Sequence, residues 1–123
     1  MTTQFSIDPQ GGPLMLLLEF TGMMTSGYDL NLLQGEAVTP YFQYQGTSNG
    51  SSSVSIHLPG AATEHCDAVL IMSVKLSALD LANVPTYGVK WSIWQAGQPV
   101  GESRQRGDFS EDTATLDFLG LVA

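Results

Sequence analysis

The densest run of reactive side chains is Glu64-His65-Cys66-Asp67. Imidazole, thiolate and carboxylate are all zinc ligands. Adjacent residues on a strand point to opposite faces, so at most two of these four converge locally. His57 supplies a third ligand only if its strand runs alongside. The sequence has no paired spacing such as Cys-x-x-Cys, so His65, Cys66 and Glu64 are the residues a metal would use, and no metal is expected. The same run read as a Cys–His nucleophile pair needs the two groups within hydrogen-bond reach and a third group orienting the base. Sequence neighbours rarely adopt that geometry, and with two histidines there is little acid–base chemistry near neutral pH. The run reads as a polar turn or strand start with Cys66 tucked inside.

Three other patterns carry chemistry elsewhere. Arg106-Gly107-Asp108 spells an integrin-ligand tripeptide, but three residues recur by chance and read here as a solvated turn. Asp108, Glu111 and Asp112 group hard oxygen ligands, but without the Asp-x-Asp-x-Asp-Gly loop that would supply six oxygens to calcium. There is no Gly-x-Ser-x-Gly elbow, phosphate loop or dinucleotide fingerprint. No cofactor is expected, and neither is an enzyme.

Aromatics are better candidates. If Tyr87, Val89, Trp91 and Ile93 face inward, Trp94 points outward with Lys90 and Ser92. An outward Trp is an anchor for a protein, a sugar or a lipid interface. Tyr41 is a second candidate by its phase against Val38, Phe42 and Tyr44, and Tyr28 a third. Trp94, Tyr41, Tyr28 and Lys90 are therefore the expected contact residues.

The elements that must hold these residues are strands. Leu14, Leu16, Leu18 and Phe20 share one face, and Tyr28, Leu30 and Leu32 another. The run 38–44 contains Pro40, which marks an edge or a bulge. Val54, Ile56 and Leu58 alternate; so do Leu70, Met72, Val74 and Leu76 within 68–76, and Tyr87 to Ile93. Gln95-Ala96-Gly97-Gln98 reads as a hairpin loop leading to a short strand near Val100. A last strand is predicted over 113–122. Residues 46–53 and 101–112 are polar and predicted to be loops, and 77–85 to make one helical turn before Pro85. Eight or nine short strands predict an all-β, single-domain (1–123) antiparallel β-sandwich of jelly-roll-like character.

Composition narrows the role. Four Lys plus Arg stand against twelve Asp plus Glu, a net charge of −8, which is unsuited to neutralising phosphates and excludes nucleic acid. Charged residues are 13% of the chain, about half the usual ~25%. The runs 14–18, 69–72 and 116–122 are apolar on both faces and need a cover. Few Lys or Glu guard the sheet edges. The expected function is therefore a non-enzymatic structural or assembly subunit that associates with copies of itself through apolar strand faces. The alternative is a module, such as a small toxin component, recognising a neutral glycan or lipid surface through exposed aromatics. The start lacks a basic region and a long apolar core, so no cleavable signal and no membrane span are expected, and synthesis is expected in the cytoplasm with the final location open.

Overall fold

Period-two apolar residues dictate strands, and strands with one apolar face must bury it against another sheet. The structure, a computed structural model, describes residues 2–36 and 38–122. Nine strands occur among them: β1 (Thr2–Phe5), β2 (Leu14–Gly22), β3 (Met24–Gln34), β4 (Phe42–Asn49), β5 (Ser52–His57), β6 (Ala68–Ala78), β7 (Thr86–Gln95), β8 (Gln98–Asp108) and β9 (Thr113–Val122). They form a five-stranded sheet ordered β1-β9-β6-β3-β4 and a four-stranded sheet ordered β5-β2-β7-β8. The two sheets pack as a β-sandwich. Its core takes Leu14, Leu16, Leu18 and Phe20 from β2, Leu30 and Leu32 from β3, and Leu70, Met72, Val74 and Leu76 from β6. Val89, Trp91 and Ile93 come from β7, and Leu116 and Phe118 from β9.

Within the sheets, only β3–β4 and β7–β8 join sequence neighbours; every other connection crosses between sheets. The β7–β8 turn at Ala96-Gly97 has φ of 52° and 76°, both left-handed, which matches the twist of a two-residue hairpin. The pairings are antiparallel except that β1 runs parallel to β9, from Thr2↔Leu119 to Phe5↔Val122. Before Pro85 the Val84 N–H donates to the Asp80 carbonyl at 2.8 Å, which closes the single turn expected there.

Both predicted polar loops are instead largely strand. Residues 98–108 are β8, an edge strand with a charged outer face of Glu102, Arg104, Arg106 and Asp108. Its inward positions carry almost no apolar side chain because rings from neighbouring elements fill them. A Cβ on Gly101 would meet the Phe5 ring at 2.7 Å, and one on Gly107 the Tyr87 hydroxyl at 2.7 Å. Residues 46–49 extend β4 for the same reason: Tyr28 lies over Gly46. The chain then turns at Gly50-Ser51 and enters the other sheet as β5, with the Ser48 and Ser52 hydroxyls bonded across the corner. β4 is an edge strand, as Pro40 indicated, but it starts at Phe42, so Val38 lies outside it and is 92% exposed.

Candidate functional site

Two outer sheet faces and one loop cluster hold the side chains singled out in the sequence. The loop cluster comes first because it is the densest. Residues 62–65 form a short 3-10 helix between β5 and β6. The Glu64 carboxylate accepts from the Ala61 N–H at 2.5 Å, which ties it to the start of that turn. His65 faces inward and is 1% exposed. Its Nε2 lies 2.6 Å from the Pro59 carbonyl, which only accepts, so Nε2 carries the proton and donates. Nδ1 then accepts from the Tyr41 hydroxyl at 2.8 Å, and the two rings stack with centroids 5.8 Å apart.

The placement corrects the expectation for this run: His65 is inside and Cys66 only half-buried. The reason is that Tyr41 and the Pro59 carbonyl saturate both imidazole nitrogens, so the ring can leave water. Among the described residues no three His, Cys, Asp or Glu side chains gather to hold a metal. His57, on β5, is exposed and pairs with Met15 on β2.

His65→Ala should destabilise the fold by about 1–3 kcal/mol, the usual cost of orphaning hydrogen-bonding groups, read as a lower urea midpoint. Burial, and then the nearby Glu64 charge, push the Tyr41 phenol from 10.0 up to about 12. The fold thus favours the protonated phenol. Its contribution is complete below pH 10 and lost as pH rises through about 12. Thermal melts from below pH 10 up to pH 12 should show stability falling in that window, and Tyr41→Phe should flatten the fall.

Tyr28 does not reach the surface. It is 7% exposed, stacked on Tyr44 at 6.2 Å and tilted against Phe20 at 6.0 Å. Burial first, and Tyr44 second, raise its phenol above the usual value. Its phase with Leu30 and Leu32 points it into the sandwich, so its role is packing at the β4–β5 side. Tyr41 lies just before β4 with its hydroxyl committed to His65.

The outer face of the four-stranded sheet does gather two of the four expected contact residues. Trp94 and Lys90 both project from β7 there. A bulge makes Val100 the extra residue of β8, between Ile93↔Gly101 and Trp94↔Pro99. Trp94 lies beside Met15 and folds over Ser92, donating its indole N–H to the hydroxyl at 3.0 Å. Further along, Lys90 sits between Glu19 of β2 (3.7 Å) and Glu102 of β8 (3.0 Å). Surface ion pairs of this kind contribute about 0–1 kcal/mol. Arg104 lies opposite Lys90, and Arg106 opposite Gly88. The face is therefore apolar at the Met15–Trp94 end and charged at the other. Arg106-Gly107-Asp108 is part of β8 here, paired with Thr86 to Gly88. Arg104 is absent from the sequence-based candidates and Arg106 enters only through the tripeptide, because 101–112 reads as a loop; their i, i+2 spacing is the signal that puts both on one strand face.

The outer face of the five-stranded sheet is different. Ile71 of β6 pairs with Leu119 of β9, and the two are 44% and 41% exposed. In the next row, Leu33, Val69 and Leu121 stand side by side, all half-buried. On the other side the row is polar: Asp29, Ser73 and Asp117. The apolar cluster thus sits on the middle strands, away from the edges.

No helix among the described residues is long and apolar enough to cross a membrane. Comparison with protein-family models, with curated proteins and with solved structures finds no match.

Proposed function

We propose that the protein is a non-enzymatic assembly subunit whose copies associate through the outer face of the five-stranded sheet. The observation that carries this reading is the exposed Ile71–Leu119 pair on the middle strands, extended by Leu33, Val69 and Leu121. Contiguous apolar surface with a polar border marks an interaction site on a water-soluble sheet. A second copy fits by size. Five strands about 4.8 Å apart, of 4, 10, 11, 11 and 8 residues at ~3.3 Å, make a face of roughly 700 Å², close to the ~800 Å² one partner gives a standard interface. An isologous contact would bring the cluster onto itself and leave Asp29 and Asp117 toward the rim.

The non-enzymatic part of the reading rests on His65, whose two nitrogens are taken by Tyr41 and Pro59. A second reading, recognition of a neutral glycan or lipid surface, draws on Trp94 with Met15 and Leu17 beside it. It has lost Tyr28 to the core. Light scattering over a range of concentrations decides the first reading. Mass rising above one chain with concentration supports it, and a constant single-chain mass overturns it.

A further inference from the structure

The chain has four basic residues, and three of them, Lys90, Arg104 and Arg106, stand on the charged half of one outer sheet face. They line a groove of about 600 Å³ between β2, β7 and β8, kept open at Gly88, which lies between Thr21 and Arg106. Lys90 is held by Glu19 and Glu102. Among the described residues, neither Arg104 nor Arg106 has a carboxylate within 4.0 Å. Lys90 and Arg104 are directly opposite across two strands, and Glu102, two residues before Arg104 on β8, meets the Lys90 ammonium and leaves the guanidinium unpaired. Glu19, Glu102 and Asp108 balance the three cations on this half of the face, so what stays unpaired there is the two guanidiniums and not a net positive charge.

The rest of the groove decides what kind of anion fits. Glu19 and Asp108 also line it, with the Thr21 and Thr86 side chains. A densely charged ligand would be repelled by those carboxylates. A ligand with one carboxylate and several hydroxyls would not: its carboxylate takes the fork of a guanidinium, and its hydroxyls donate to Glu19 and Asp108. We infer that this groove is a binding site for a carboxylated sugar of the uronic-acid type, oriented by Arg104 and Arg106. The site lies on the opposite sheet from the proposed association face and does not depend on it.

The test is an NMR titration of the full chain with glucuronate, with glucose and inorganic phosphate as parallel titrants. Glucuronate should move the amides of Gly88 and of residues 104–108 to saturation, while glucose and phosphate should not saturate. Arg104→Gln and Arg106→Gln should each weaken glucuronate binding about tenfold, the worth of one charge-assisted contact. Both side chains are exposed on an edge strand, so the variants should fold, and the unshifted remainder of each spectrum checks that they do. Added salt should weaken binding, because the groove is open to solvent. The inference is overturned if glucuronate does not saturate, if glucose or phosphate binds as tightly, or if the arginine variants bind like the parent chain.

Discussion

Trp91→Ala should be the most damaging single substitution in the chain, costing about 3–5 kcal/mol. Trp91 is fully buried on β7, a middle strand of the four-stranded sheet. Its indole meets the Phe5 ring edge-on at 5.4 Å and the Phe118 ring at 5.3 Å. It also lies against Gly120, where an added Cβ would come within 3.1 Å of Cη2. The residue thus bridges β7 to both β1 and β9 across the sandwich. Truncation leaves a cavity that close-packed neighbours on three strands cannot fill. Against a typical total of about 5–15 kcal/mol, that is at least about a fifth of the stability and up to all of it. Urea unfolding should show a much lower midpoint with an unchanged slope, and Trp94 remains as the fluorescent reporter. Trp91→Phe should cost less. The indole Nε1 is buried without a partner, so the smaller ring also removes an unpaired donor.

Ile71→Lys should abolish self-association and leave the single chain folded. Ile71 is exposed in one copy, so the fold loses little. Its diagonal neighbours on the same face include Asp29 and Asp117, which attract the new ammonium. In a two-fold contact each substitution acts twice. At about 2 kcal/mol per buried anchor this amounts to about 4 kcal/mol, or roughly a thousandfold in Kd. Light scattering should then report single-chain mass at concentrations where the parent chain is larger. An unchanged mass distribution for the variant would remove Ile71 from any interface.

The two outer faces were unequally legible in the sequence. β6 and β9 could be drawn almost to the residue, since Leu70 to Leu76 and Leu116 to Val122 alternate with no interruption that matters. The outward direction of Trp94 and Lys90 followed from the same phase. β8 could not be read that way. Its inward residues Gly101, Ser103, Gln105 and Gly107 are small or polar, because Phe5 and Tyr87 supply the volume from elsewhere in the chain. Apolar periodicity fails wherever a strand is packed by its neighbours' rings. With β8 unread, Arg104 and Arg106 could not be placed beside Lys90. His65 was hidden for a related reason: its burial depends on Tyr41 and on Pro59, which the fold brings to it. The parallel pairing of β1 with β9 joins the two extremes of the described chain, and nothing local signals it.

That pairing also sets the order in which the domain can be completed. β9 is inserted between β1 and β6, so the five-stranded sheet is divided until residues 113–122 are in place. β1, the first strand in sequence order, pairs only with β9, the last. Closing so long a loop costs entropy before any contact repays it, which places such folds among the slow ones, in milliseconds to seconds. During synthesis, β1 has no strand to pair with until residues 113–122 have been made. The β6 edge that β9 covers waits with it, and for that interval the growing chain exposes a long unpaired strand edge.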